Sequence, residues 1–482
     1  VSAAPDAASP EQSDSAAASG RPGLTGHLGV TSIVFMVIAA AAPLTVINGN
    51  VPLAVTMGNG AGAPVGYLVA ALVLLLFSVG FVAMTPHVPQ AGAFFAYVEK
   101  GLGPRAGLGA AYLALVTYTT IQVGVWGYFG GALSTLIEDF GGPDLPWWAG
   151  TAIGVALVAV LGYRRIELSS KVLSVALVCE IGVVLVMNAA IIGRGGAEGI
   201  DLAPFAPAQM FSGSFGIAVL FSITGFIGFE ATAVFRDEAR DPDRTLPRAT
   251  YLAVIIIGLF YTFSSWAVVE GWGVHGIVGA AQADPDNMVL NTAGRYIGAV
   301  GKDFMECLLV TSLLACTLSF HNVVTRYQLT LAGRSRMPGA LGRVHPRHGS
   351  PHVSSLVQTA TATVLLIGFA SLGLDPLTEV FSSMAGIATL GVALLMTMTS
   401  VAVLVFFRGR PDSRWWQTRL APTLGVVGLL VCVGLIVGNF ALVVEGTLAL
   451  AVGLGIVPPV AFALGYVHEA RARRKEAAAD SA

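Results

Sequence analysis

Residues 212–249 read SGSFGIAVLFSITGFIGFEATAVFRDEARDPDRTLPRA, and the fold turns on how this stretch crosses a membrane. It begins as an apolar helix and then meets Thr224-Gly225-Phe226-Ile227-Gly228, two glycines three residues apart, with the carboxylate of Glu230 following at once. It leaves through a charged segment, Arg236 to Arg248, that carries Pro242 and Pro247. In hydrocarbon every backbone N–H and C=O needs a partner, so a break at that depth must face protein or a water-filled cavity. Transporters use such breaks to offer bare backbone groups to a substrate. The stretch predicts one half of a binding site.

The other half lies in the first apolar run, residues 34–55, VFMVIAAAAPLTVINGNVPLAV. Pro43 sits in mid-span and removes a helix hydrogen bond. Thr45, Asn48, Gly49, Asn50 and Pro52 follow, a polar density that an ordinary membrane helix avoids. Taken alone, this is also what a packing kink looks like. The two interrupted runs are spans one and six, however, and a five-plus-five inverted repeat places equivalent helices five spans apart. The expected repeats are 29–193 and 212–407, with 421–467 outside them.

Composition agrees. The 482 residues are 55% hydrophobic and 11% charged, with a mean hydropathy of +0.76, against about 25% charged in a soluble domain. Runs long enough to cross about 30 Å of hydrocarbon recur near 29–57, 64–86, 105–135, 146–163, 168–193, 212–236, 247–270, 301–331, 353–373, 377–407, 421–440 and 444–467. The fold class expected is therefore an all-α polytopic membrane protein with twelve helices in one domain, 28–467. A disordered tail precedes it (1–27) and a second tail follows (468–482). With both tails placed in the cytoplasm, all of the 26 Lys and Arg except Arg194, Arg295 and Lys302 fall on inside segments. That asymmetry predicts a multi-pass protein of the plasma (inner) membrane with cytoplasmic termini.

Several chemistries have no signal. The four cysteines lie inside apolar runs, with no metal-ligand or disulfide spacing. H-E-x-x-H, G-x-S-x-G and the phosphate-binding G-x-x-x-x-G-K-[ST] are missing, so neither a membrane enzyme nor an ATP-driven pump is expected. No cofactor, metal or nucleic-acid partner is predicted; the partners are the lipid bilayer, a small-molecule substrate and a coupling ion, proton or sodium.

Candidate residues follow from the breaks. Carbonyls of Ile223, Thr224 and Ile227 are placed to accept from an ammonium group, and N–H groups from Thr45 to Ile47 to donate to an anion. The substrate contacts expected are thus Ala41, Ala42, Pro43, Leu44 and Thr45 on span one, with Ile223, Thr224, Gly225, Phe226 and Ile227 on span six. Glu180 lies mid-span five, where burying an ionised acid costs about 2.5–3.5 kcal/mol. Its protonation is then tied to conformation, as a proton site or a cation ligand; a structural acid paired with a neighbour is the alternative. Glu230 reads as a pH-responsive link from span six to the pore, or as an acid bonded to backbone freed by the break. Glu306, near the outer end of span eight, reads as a vestibule acid, and His321 as a packing histidine. Glu238 and Arg240 read as inner-gate ion-pairing groups or as a passive charged rim.

Three segments resemble the amino acid–polyamine–organocation permeases, which share the leucine-transporter fold. PQAGAFFAYVEKGLGP (89–104) is similar to that family's P-x-x-G-G-x-Y…G-P loop. FSITGFIGFEATAVFRDEARDPDRTLPRA (221–249) is similar to its F-x-G-[FW]-E…E-x-x-x-P-x-R-x-I-P element. LSFHNVVTRYQLTLAGRSRMPGAL (318–341) resembles the end of its eighth helix. The likeness covers 28–467. It implies a secondary active transporter working by proton coupling or exchange, with α-amino and α-carboxyl groups held at the two breaks. It also implies a gating role for Phe226, since Thr224 stands where some members carry a gating tryptophan, and an ion-binding role for the span-eight hydroxyls Ser312, Thr317 and Ser319. One departure concerns the substrate: the family's glycine-rich first break is Ala41-Ala42-Pro43-Leu44-Thr45 here. A neutral or aromatic amino acid is the default expectation, with a polyamine or organocation permease, or a sensor or channel on the same scaffold, as alternatives.

Overall fold

The computed structural model describes residues 28–88, 94–164, 170–230, 239–410, 414–444 and 447–480. Among these the chain is helical without a strand; one isolated backbone bridge joins Leu28 to Ala239. Among the described residues ten helices are long and apolar enough to cross a membrane. The first of these, Val30–His87, has 58 residues. It breaks into α1 (Val30–Ala40), α2 (43–59, with π-helical turns at Val46–Asn50 and Ala54–Asn59) and α3 (Ala63–Met84). Each division has a local cause. Pro43 starts α2 after Ala42, which takes a left-handed conformation (φ 46°, ψ 68°). Gly60, at φ +61°, turns the chain from α2 into α3.

The remaining helices are α4 (Phe94–Leu102), α5 (Pro104–Asp139), α6 (Trp147–Arg164), α7 (Ser170–Gly193), α8 (Phe215–Thr224) and α9 (Pro242–Trp272). They continue with α10 (Ile277–Ala283), α11 (Met288–Gly333), α12 (His352–Ser371), α13 (Ser382–Phe406), α14 (Ala421–Val443), α15 (Leu448–Gly455) and α16 (Val457–Asp480). α4 is a short helix between the expected second and third spans, and Gly298 (φ +81°) bends α11 in front of the expected eighth span. α5 is the most enclosed long helix and packs against α6, α11, α13 and α16. α12 and α14 lie outside. Their Val364, Ile367, Val431 and Val437 are more than half exposed, an apolar surface that suits lipid.

The two interrupted helices run side by side in opposite directions. Ser214 N–H donates to Gly58 O (3.0 Å) at one end. Asn50 Nδ2 donates to Phe221 O (2.8 Å) in the middle. Arg240 N–H donates to Leu28 O (3.0 Å) at the other. Asn50 thereby uses its side chain to satisfy a carbonyl of the neighbouring helix.

Candidate functional site at the paired helix breaks

α8 stops at Thr224, and residues 225–230 form successive turns, with Gly228 at φ +110°. A side chain would be strained there. A Cβ at Gly225 would lie 2.8 Å from Val46 Cγ1, so glycine is what lets the two breaks approach. Between them sits a cavity of about 30 Å³, room for about one water and too small for an amino acid. Ala41, Ala42, Thr45, Thr224 and Ile227 line it, joined by Val46, Asn50, Ile121, Val125, Cys316, Phe320 and Phe381.

The expected substrate contacts thus divide. Pro43, Leu44, Ile223, Gly225 and Phe226 belong to the breaks and are buried, but they do not line the cavity. Phe226 turns to Tyr261 (ring centroids 5.7 Å), whose hydroxyl donates to Ala41 O at 3.2 Å. The carbonyls of Ile223 and Thr224 accept turn hydrogen bonds from Phe226 and Ile227. The Thr224 hydroxyl meets that of Thr389 on α13.

Glu180, on α7, reaches the start of α2. Its carboxylate accepts from Ser312 Oγ (2.9 Å) and lies beside the Leu44 backbone. Thr45 Oγ1 donates to Ser312 Oγ at 3.4 Å. A carboxylate at a helix N-terminus is favoured by the unpaired N–H groups and the dipole. Three elements, α2, α7 and α11, therefore meet on one buried acid. Of the span-eight hydroxyls, Thr317 donates to Leu314 O and exposed Ser319 to Ala315 O, so both close on their own helix. Ser312 is the hydroxyl that joins the group.

Glu230 accepts from Tyr118 Oη and from the Gly228 N–H (2.9 Å), pinning the far side of the α8 break to α5. Tyr118 stacks on Phe320, which lines the cavity, and packs on Tyr327. On the opposite side Phe381 packs on Tyr128 (5.7 Å). Glu238 lies outside the described residues. Arg240 is exposed and contributes its backbone N–H to the Leu28 contact. His321 is buried, paired with Ser355 (2.9 Å) and Gln122 (3.4 Å), with Gln358 donating on to Gln122 (2.7 Å).

Phe381, Tyr128 and Tyr261 carried no sequence signal beyond apolar surroundings. Asn50, Gln122 and Gln358 did: each is an amide inside an apolar run.

Comparison with known proteins agrees with this geometry. The family model described as "Amino acid permease" matches residues 32–475. The branched-chain amino acid permease BcaP of Bacillus subtilis (strain 168) is 27% identical over 467 residues, 92% of this chain and 94% of that protein. The low-affinity putrescine importer PlaP of Escherichia coli (strain K12) is 22% identical, covering 71% and 74%. In fold, the chain is similar to the Eremococcus coleocola manganese transporter, with a TM-score of 0.57 at 13% identity over 92% of this chain and 97% of that one. Among the described residues no group of three or more His, Cys, Asp or Glu is arranged to hold a metal ion. With a family match over nearly its whole length and two broken helices around a buried cavity, the chain belongs to the amino acid permease family of membrane transporters.

Proposed function

We propose that the chain is a secondary active transporter that carries a neutral amino acid, branched-chain or aromatic, across the plasma membrane by alternating access. The observation that carries this reading is the antiparallel pair of broken helices enclosing a cavity. Among the described residues its walls hold no charged side chain, and Val46, Ile121, Val125 and Ile227 present apolar surface. The name of the Bacillus subtilis relative points the same way. A dedicated polyamine site would need an acid on that wall.

In this reading the α-amino and α-carboxyl groups sit at Ala41–Thr45 and Ile223–Ile227. Glu180 is the proton-coupling acid, since it joins α7, the start of α2 and Ser312. Phe381 and Tyr128 close one side; Tyr118, Phe320 and Glu230 close the other. Counting Val30–His87 as two passes and adding α8 to the ten candidates supports twelve spans. The opposite directions of α1–α2 and α8 support the inverted repeat. The basic residues of the Leu28–Ala239 face support cytoplasmic termini.

The test is counterflow uptake of labelled leucine, phenylalanine and putrescine by proteoliposomes. Saturable leucine or phenylalanine uptake supports the reading. Putrescine-only uptake overturns the substrate class, and non-saturable flux overturns the transporter mechanism.

A further inference from the structure

On the side of the Phe381–Tyr128 pair away from the central cavity lies a second, acidic pocket of about 30 Å³. It is lined by Tyr128, Thr135, Asp286, Asn287, Leu290 and Glu306, among others. Glu306 is 1% exposed; among the described residues no donor reaches its carboxylate oxygens, and its carboxyl lies within hydrogen-bonding reach of Asp139 alone. Tyr128 is 3% exposed, and its hydroxyl is unpartnered among the described residues. Leaving buried polar atoms unpaired costs about 1–3 kcal/mol each, more for a charged group, so three together in one pocket ask for a ligand. The surrounding field is negative. Asp284 and Asp375 bear on Asp286, and Asp139 and Asp303 bear on Glu306. The nearby cation is Lys302, whose Nζ is engaged by Asp139 at 2.6 Å.

We propose that this pocket is a second binding site on the substrate path, in which Glu306, Asp286 and Tyr128 receive the primary ammonium group of an incoming amino acid or amine. Glu306 Oε1, Glu306 Oε2 and Tyr128 Oη receive no donor from the described residues, and an R–NH₃⁺ group brings three donors to acceptors of this kind. The volume admits that head group while the rest of the molecule projects outward. Tyr128 belongs both to this pocket and to the pair that shuts the central cavity. A bound ammonium therefore touches the gate it must pass. The role as an antechamber rests on the transport reading; the binding does not.

The experiment measures thermal unfolding of the purified full-length protein at pH 8, at constant ionic strength, titrating methylammonium chloride against sodium chloride and tetramethylammonium chloride. Saturable stabilisation by methylammonium alone is expected, with the apparent affinity weakened at least about tenfold in Glu306→Gln and in Asp286→Asn. Equal stabilisation by sodium overturns the ammonium assignment. No saturable effect of methylammonium, or an effect that survives both variants, overturns the site. Because no transport is measured, failure of this binding and failure of the uptake assay are distinguishable.

Discussion

Replacing Glu180 separates its structural role from its coupling role. Glu180 is 5% exposed, and its carboxylate accepts from the Ser312 hydroxyl beside the Leu44 backbone. Glu180→Ala removes the acceptor and strands the buried Ser312 donor. For one stranded group the loss is about 1–3 kcal/mol. Glu180→Gln keeps one acceptor oxygen at nearly the same volume, so it loses less than Ala does. It cannot carry a proton. Thermal unfolding in detergent therefore ranks wild type, then Gln, then Ala. In proteoliposomes, Glu180→Gln retains exchange of internal for external substrate but loses accumulation driven by an imposed pH gradient. Two results refute the reasoning. If Ala is as stable as Gln, the carboxylate does not hold α2 to α7 and α11. If Gln still accumulates substrate on a pH gradient at the wild-type rate, Glu180 is not the coupling site.

Four further outcomes follow from named contacts. Tyr118→Phe removes the hydroxyl that Glu230 accepts from; it weakens the closed state by about 1–3 kcal/mol and speeds thiol labelling of Cys316 from the Leu28–Ala239 face, and an unchanged rate counts against that seal. Gly225→Val drives a side chain into Val46 and Tyr261; folded protein is recovered by size exclusion while uptake falls at least about tenfold, and normal uptake means the breaks do not need that approach. Ala42→Gly relieves left-handed strain of about 1–2 kcal/mol, partly offset by unfolded-chain entropy, so the unfolding midpoint rises; a fall contradicts the conformation at the break. Burial, with Asp375 and Asp284 nearby, pushes Asp286 up to about 7 from 3.8. The native protein then holds a proton that the unfolded chain has released, and stability declines as pH rises through that window. Asp286→Asn flattens the decline, and identical slopes in the two proteins remove Asp286 as its source.

The breaks were legible because they violate a strong rule: proline, paired glycines and asparagines inside hydrocarbon have few uses other than to free backbone. Pro43 and Gly225–Gly228 mark the two interruptions to within a residue or two. Glu180 was visible for the same reason, as a charge inside an apolar run. Its partner was harder to read. Ser312, Thr317 and Ser319 are alike in sequence; Ser312 and Ser319, seven residues apart, lie on nearly the same side of α11, so it is depth along the helix, and what packs there, that gives Ser312 the Glu180 carboxylate and leaves Ser319 exposed. The aromatic side chains that shut the cavity were not readable either. Phe381 and Tyr128 sit in apolar runs whose composition says nothing about which ring meets which. Phe226, expected at the cavity, points instead at Tyr261, because the turns after Thr224 rotate it away.

The central claim is that substrate binds between the breaks of α1–α2 and α8, and Cys316 gives direct access to that space, since it lines the cavity there. With Cys179, Cys307 and Cys432 replaced by serine or alanine, the rate at which N-ethylmaleimide modifies Cys316 in proteoliposomes is measured against increasing concentrations of the transported amino acid. The account predicts protection whose half-maximal concentration matches that for uptake. A modification rate unchanged at concentrations that saturate uptake would place the substrate elsewhere and contradict it.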